Sequence, residues 1–255
     1  VCHLAGSVRH LVPRVFLERG GVVTNWGEIP SCAVAEQALL LALAALRNLP
    51  GWSEVIQRRE EAGSHIERLN TRTLFGRPVG LHGFGRVARA LVALLRPFGV
   101  TLHAYSAGVP ETMMRAEGVT PCASIEQLCA RSEVLFECEA LTAATTGSIS
   151  AQALAALPDG AVFVNVGRGG LVDEAALLRE CAAGRIRAAL DVLVTEPLVP
   201  NSAFCGVRDA VLSPHIAGPT FDQYPQIGDH AVRNLGRYLA GGVPESVVTL
   251  EEYDR

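Results

Sequence analysis

Three short segments of the chain combine a charged or titratable side chain with the glycines and prolines of a loop. Arg168 stands between two glycines, just after a predicted buried strand. Its planar guanidinium is therefore free to bind a carboxylate with two hydrogen bonds. Asp191 lies in the next predicted strand, and Glu196 follows shortly before a proline. His215 follows a short strand, and imidazole exchanges protons near neutral pH. Because parallel strands end at the same sheet edge, we expect these groups to share one site.

Each of these residues also has a purely structural interpretation. An arginine between glycines can tie down backbone carbonyls, and Asp191 and Glu196 can be helix caps or surface charges. A single histidine is more often structural than catalytic. We give the structural interpretation to five other histidines, namely His3, His10, His65, His103 and His230. His215 is singled out because all three segments follow strands of one predicted sheet.

A second kind of motif joins the strand at residues 79–81 to the helix at residues 86–96. The connection reads Gly83-Phe84-Gly85-Arg86-Val87-Ala88, a G-x-G-x-x-A pattern. Here Gly83 allows a tight turn, Gly85 leaves room for a pyrophosphate, and Ala88 allows close packing of helix on sheet. The helix N-terminus offers N–H groups to the phosphates. The alternative is an ordinary glycine-rich turn. His82 stands where an aliphatic residue is expected, and the sequence gives no reason for it.

The choice between NAD and NADP stays open in the sequence. The strand at residues 100–104 should be followed by an acid that binds the adenosine ribose, but Ser106 occupies that place. The next acid is Glu111 and the next arginine is Arg115. We therefore expect either cofactor to bind, with weak discrimination between them.

Composition excludes several classes of protein. Apolar residues make up 49% and the net charge is −4, which fits a folded core without a nucleic-acid or polybasic membrane footprint. All 22 basic residues are arginine, so Schiff-base and Walker-A lysines are excluded within these residues. The seven cysteines form no C-x-x-C pattern, and we expect free buried thiols, no metal site and a cytoplasmic location.

Alternating strands and helices predict an α/β fold with a doubly wound parallel sheet. Residues 31–219 are predicted to form a dinucleotide-binding (Rossmann) domain, and residues 1–30 with 220–255 part of a flavodoxin-like substrate domain. The predicted strands cover residues 22–24, 79–81, 100–104, 134–136, 161–166, 186–192 and 211–212. The predicted helices cover residues 34–49, 53–69, 86–96, 124–131, 150–157, 173–183 and 223–239.

Taken together, these motifs resemble the D-isomer-specific 2-hydroxyacid dehydrogenases. The resemblance runs from Val1 to about Val247, and residues 165–174, 191–198 and 213–218 are its most specific parts. It implies transfer of a hydride between NAD or NADP and a small 2-hydroxy or 2-keto acid. By this resemblance Arg168 binds the substrate, His215 is the general acid/base and Glu196 is its carboxylate partner.

The resemblance also implies binding roles for other positions. Asp191 contacts the nicotinamide carboxamide, and the loop of Gly6, Ser7 and Val8 meets the substrate carboxylate. The remaining cofactor-binding candidates are Gly83, Phe84, Gly85, Arg86, Val87, Ser106, Val166, Gly167 and Gly218. We expect a homodimer through residues 34–69, whose first helix carries more apolar residues than one buried face requires.

Two departures from the family pattern qualify these expectations. The family's usual His-Leu-Pro after the fourth strand is replaced by Cys138-Glu139-Ala140, which affects a loop that lines the cofactor. The sequence starts at Val1, well inside the family's substrate domain, so we expect the missing part to limit turnover. The alternative function is a non-catalytic dinucleotide-binding protein: a sensor, a scaffold or an inactive relative.

Overall fold

The structure is a computed structural model that describes residues 1–58, 64–197 and 202–254. The chain divides into two compact units. One comprises Val34–Ala217, and the other comprises Val1–Ala33 together with Gly218–Arg255.

The larger unit is built on a parallel sheet, which confirms the predicted α/β doubly wound architecture. In the described part of the chain the strands are β1 (Pro78–His82), β2 (Thr101–Tyr105), β3 (Thr120–Pro121), β4 (Val134–Glu137), β5 (Ala161–Asn165), β6 (Ile186–Leu190) and β7 (Val211–Leu212). Their order is β3-β2-β1-β4-β5-β6-β7. The direction of winding reverses between β1 and β4, the position where doubly wound sheets bind ligands.

The helices in the described residues are α1 (Arg14–Glu18), α2 (Ser31–Leu46), α3 (Trp52–Arg58), α4 (Ser64–Leu69), α5 (Arg86–Leu95), α6 (Glu111–Ala116), α7 (Ile125–Ala130), α8 (Ala151–Ala156), α9 (Glu174–Ala182), α10 (Tyr224–Leu239) and α11 (Leu250–Asp254). Apolar side chains of α2 and α5 pack with β1 and β4 in one core cluster. Those of α7, α8 and α9 pack with β5 and β6 in another. Two separate clusters are expected where helices cover both faces of a sheet.

Some boundaries differ from the sequence predictions. The helix predicted over residues 53–69 appears as α3 and α4, and residues 59–63 between them lie outside the described part. The short elements α6, β3 and α11 were not predicted, because their few residues show too little periodicity. Ser124 caps α7 by accepting a hydrogen bond from Gln127 N, and the Gln127 side chain accepts one from the backbone N–H of Ala123.

The smaller unit contains α1, α10 and α11 around a small core of Val8, Val12, Val23 and Val248. The prediction of a strand over residues 22–24 is wrong, because only Thr24 takes part in bridges, one to Cys2 and one to Val247. Isolated bridges form where neighbouring residues lack continuous partners.

All seven cysteines are free, but the expectation that they are buried is wrong for Cys2, Cys32 and Cys205, which are exposed. Burial raises the pKa of the Cys129 and Cys181 thiols to about 12, so both stay protonated at neutral pH.

No single helix in the described residues is long and apolar enough to cross a membrane; only Ser31–Leu46 and Leu49–Gln57, bent by 53°, meet the length and composition criteria as a pair.

Candidate active site

The predicted acid/base histidine and its carboxylate partner are in direct contact. His215 Nδ1 lies 2.6 Å from Glu196 Oε2. The other oxygen of Glu196 accepts a hydrogen bond of 2.8 Å from the backbone N–H of Leu193. Glu196 is therefore held from two sides, and Nε2 of His215 is left for another partner. A carboxylate in this position fixes the orientation of the imidazole.

The loop that carries His215 is held from beneath by Asp191. This buried carboxylate accepts hydrogen bonds from Ser213 Oγ at 2.5 Å, from Ile216 N at 3.0 Å and from Ala217 N at 2.9 Å. The backbone of His215, which has a positive φ of 56°, donates to the carbonyl of Asp191. A non-glycine residue adopts this conformation when its surroundings hold it there.

The cavity beside these residues has a volume of about 220 Å³. Its lining consists of Asp191, Leu193, Glu196, Pro197, Leu212, Ser213, Pro214 and His215. Its position beyond the ends of β6 and β7 is the carboxyl edge of the sheet, as the sequence predicted. Leu198, the last residue of the predicted 191–198 segment, lies outside the described residues.

Arg168 lies at the same edge, after β5. Asn165 holds its loop by donating to the carbonyl of Arg168 at 3.1 Å and accepting from Gly167 N at 3.0 Å. A side chain at Gly169 would come within 2.0 Å of the Leu193 carbonyl carbon, so glycine lets this loop pack against the segment before Glu196. The exposed Arg168 guanidinium donates to the Gly167 carbonyl at 2.7 Å. Among the contacts of the described residues, none joins Arg168 to His215.

The glycines of the G-x-G-x-x-A loop have different surroundings. Gly83 has a φ of +88°, and a Cβ there would lie 2.6 Å from the backbone of Glu139. A Cβ at Gly85 would meet nothing within 4 Å, so the protein itself leaves this space open. Gly85 precedes α5 without a side-chain cap, and the first N–H groups of α5 face the same end. Open space next to an uncapped helix N-terminus fits a pyrophosphate.

The other predicted cofactor-binding residues differ in exposure. The side chain of Phe84 is 1% exposed and belongs to the core, so this residue offers a ligand only its backbone. Arg86 is exposed and Val87 partly exposed in the first turn of α5. Val166 and Gly167 are buried directly after β5.

Ser106, directly after β2, is joined to a residue that the sequence analysis did not select. Its hydroxyl donates to Glu139 Oε2 at 2.7 Å. The backbone N–H of Glu139 in turn donates to Glu137 Oε1 at 2.8 Å. The loop with the unusual Cys138-Glu139-Ala140 sequence is thus bonded to the end of β2.

His82, which stands where an aliphatic residue is expected, forms a buried pair with Glu137. The two residues are in register on β1 and β4, with His82 Nδ1 2.5 Å from Glu137 Oε2. Burial lowers the pKa of His82, but the hydrogen bond and charge of Glu137 outweigh it, and the resulting pKa lies above the usual value. Burial raises the pKa of Glu137. The hydrogen bond and charge of His82 offset this increase only in part, so the pKa stays above its usual value. The sequence signal that could have revealed this pair is that His82 and Glu137 are titratable residues at the ends of neighbouring central strands.

The remaining predicted residues belong to the smaller unit. Asn25 donates to the carbonyl of Gly6 at 3.2 Å, Ser7 is exposed, and Val8 is buried in the small core. Gly218 is the first residue of the second segment of that unit. The predicted roles of Gly6, Ser7 and Val8 in substrate binding, and of Gly218 in cofactor binding, remain predictions. Within the described residues, no cluster of three or more potential ligands is suited to a metal ion.

Comparison with known proteins identifies the family. Residues 39–217 match the family described as D-isomer specific 2-hydroxyacid dehydrogenase, NAD binding domain. The chain is 30% identical over 234 residues to a D-3-phosphoglycerate dehydrogenase of Methanocaldococcus jannaschii, covering 91% of this chain and 44% of that protein. It is 30% identical over 248 residues to a glyoxylate reductase/hydroxypyruvate reductase of Mus musculus, covering 97% and 76% respectively.

A solved structure shows the same relationship. The glyoxylate reductase of Paecilomyes thermophila superposes with a TM-score of 0.82 at 26% identity, covering 97% of this chain and 74% of that one. The chain therefore belongs to the D-isomer-specific 2-hydroxyacid dehydrogenase family and carries its NAD-binding domain. It spans less than half of the length of the phosphoglycerate dehydrogenase that it matches.

Proposed function

We propose that the protein transfers a hydride between a nicotinamide cofactor and a small D-2-hydroxy acid or 2-keto acid. The observation that carries the proposal is the 2.6 Å contact between His215 and Glu196, in a cavity at the carboxyl edge of a sheet with a dinucleotide-type loop. The phosphoglycerate dehydrogenase and glyoxylate reductase among its relatives support this class of substrate.

The cofactor, when bound, supplies or accepts the hydride at C2 of the substrate. The chain's own residues handle the proton and the position of the substrate. In reduction, Nε2 of His215 donates a proton to the keto oxygen, and Glu196 orients the imidazole for this transfer. In oxidation, the same nitrogen accepts the hydroxyl proton. Asp191 keeps the His215 loop in place through three hydrogen bonds.

Arg168 is proposed to bind the substrate carboxylate and to stabilise negative charge on the reacting oxygen. Backbone groups of Gly6, Ser7 and Val8 are proposed to bind the same carboxylate. The cofactor is proposed to contact the loop of Gly83 and Gly85. The other proposed cofactor contacts are Phe84, Arg86, Val87, Ser106, Val166, Gly167, Asp191 and Gly218.

The test measures oxidation of NADH and NADPH with a panel of keto acids that includes glyoxylate, hydroxypyruvate and phosphohydroxypyruvate. In the full-length protein, we expect His215→Ala to lower turnover by about 10²–10⁴-fold while changing cofactor affinity less than about twofold, because the imidazole moves the proton. Glu196→Gln keeps part of the activity but changes the pH profile, because only the charge beside His215 is lost.

His10→Ala and Arg179→Ala serve as controls, since both residues are exposed and lie outside the proposed site. Equal turnover of the wild type and His215→Ala refutes the catalytic role. Tight cofactor binding by the full-length protein without turnover of any keto acid supports the non-catalytic alternative instead.

A further inference from the structure

Three unexpected residues of the sequence belong to one hydrogen-bonded network. His82 replaces an aliphatic residue, Ser106 replaces an acid, and Glu139 lies in the altered loop after β4. In the structure His82 is hydrogen-bonded to Glu137, whose carboxylate also accepts a hydrogen bond from the backbone N–H of Glu139. The Glu139 carboxylate accepts a hydrogen bond from the hydroxyl of Ser106. The network joins the ends of β1, β2 and β4, which are neighbours in the sheet.

The carboxylate of Glu139 is fixed in orientation. Oε2 accepts the 2.7 Å hydrogen bond from Ser106, and Oε1 accepts a 2.9 Å hydrogen bond from the backbone N–H of Ala140. The backbone of Glu139 packs against Gly83, whose missing side chain makes room for it. Each carboxylate oxygen can accept more than one hydrogen bond, so both keep capacity for a ligand. Glu139 is partly exposed and therefore accessible to one.

We propose that Glu139 reads the adenosine ribose of the bound dinucleotide and rejects a 2′-phosphate. The inference rests on the proposed function, because it concerns the cofactor of that same site. In doubly wound folds the group that reads the ribose is an acid at the end of the second strand, next to the glycine loop. Ser106 holds that position here, and Glu139 brings its carboxylate to Ser106 from the other side of β1.

The chemistry distinguishes the two cofactors. The 2′-hydroxyl of NAD donates a hydrogen bond to a carboxylate, whereas the 2′-phosphate of NADP is repelled by it. The segment after β2, residues 106–110, contains no basic residue to offset this repulsion. The weak discrimination expected from Ser106 alone is therefore replaced by a preference for NAD.

A structural alternative assigns Glu139 only to fixing Ser106 and the loop. The two interpretations differ in what a neutral side chain of the same shape does. If the carboxylate only holds Ser106, Glu139→Gln leaves relative cofactor affinity unchanged, because an amide oxygen still accepts the hydrogen bond. If it reads the ribose, losing the charge removes the repulsion of the 2′-phosphate.

The experiment titrates NADH and NADPH by nicotinamide fluorescence and needs no turnover. We expect the wild type to bind NADH at least about 100-fold more tightly than NADPH, and Glu139→Gln to reduce this ratio below about 10-fold. Glu139→Asp keeps the negative charge but places it farther from the ribose, because the side chain is shorter. We expect this variant to bind NADH more weakly while NADPH stays excluded. Glu126→Gln on α7 is the matched control and leaves the ratio within about twofold.

Each result has a defined meaning. A wild type that binds both dinucleotides equally, or a ratio that Glu139→Gln does not change, overturns the role of Glu139 and leaves the proposed function intact. If Glu139→Gln does not fold, Glu139→Asp decides, and unchanged NADH affinity in that variant overturns the role. A wild type that binds neither dinucleotide overturns the inference and the cofactor site together.

Discussion

At the scale of single residues, two glycines of one loop have different surroundings. Gly83 is required by the protein itself, because its φ is positive and the backbone of Glu139 leaves no room for a Cβ. Gly85 has an ordinary φ of −79° and open space around it. The open space at Gly85 is available to a ligand, as the proposed cofactor site requires.

This contrast gives a paired prediction. Gly85→Leu should weaken NADH binding by at least about tenfold while changing the free energy of unfolding by less than about 1 kcal/mol, because its side chain fills the space for the pyrophosphate. Gly83→Ala should lower the free energy of unfolding by about 1–3 kcal/mol. Fluorescence titration and urea unfolding measure the two effects. Undiminished NADH binding to Gly85→Leu would remove the loop from the cofactor site.

At the scale of elements, the ends of β1 and β4 carry a polar pair inside the sheet. Both pKa values are raised, so the folded protein holds protons that the unfolded chain releases. The free energy of unfolding therefore falls as pH rises: the part due to Glu137 falls above about pH 4.5, and the part due to His82 falls above about pH 6.5.

The same pair predicts a distinctive set of mutant stabilities. Glu137→Val alone should destabilise the protein by about 3–5 kcal/mol, because His82 is left buried without its partner. The double variant His82→Val with Glu137→Val should recover most of this loss and show a weaker pH dependence. Urea unfolding at several pH values measures both effects. The assignment of His82 and Glu137 as a coupled buried pair is contradicted if the double variant is no more stable than Glu137→Val. It is also contradicted if the free energy of unfolding of the double variant depends on pH as steeply as that of the wild type.

At the scale of the whole molecule, the structure leaves an apolar surface where the sequence predicted a dimer contact. Leu40 on α2 is 56% exposed and Ile56 on α3 is 74% exposed. Leu49 and Trp52 between them are also exposed. Apolar side chains grouped on one segment in this way favour association.

We therefore expect a homodimer through the described part of residues 34–69. Sedimentation should give the mass of a dimer at micromolar concentration for the wild type, and that of a monomer for Leu40→Arg combined with Ile56→Arg, because burying the introduced arginine charges in an apolar contact is unfavourable. Val232→Arg, at an exposed apolar residue outside this region, should remain a dimer. A monomeric wild type would disprove the prediction.

The sequence alone determined the features that depend on local patterns. Hydrophobic periodicity gave the alternating strands and helices, and turn residues located the Gly83–Gly85 loop. The three segments with Arg168, Glu196 and His215 were recognisable because each is short and continuous. Because parallel strands end at one edge, the strand pattern predicted that His215 and Glu196 share one site, whereas their pairing was implied by the resemblance to the dehydrogenase family.

Only the tertiary structure decided which distant side chains meet. His82 and Glu137 are paired by the register of β1 and β4, and Ser106 reaches Glu139 because β2 and β4 flank β1. Asp191, expected at the nicotinamide, places its carboxylate under the His215 loop. Hydrogen bonds are directional and short, so they depend on strand order and register, which periodicity along one chain does not encode.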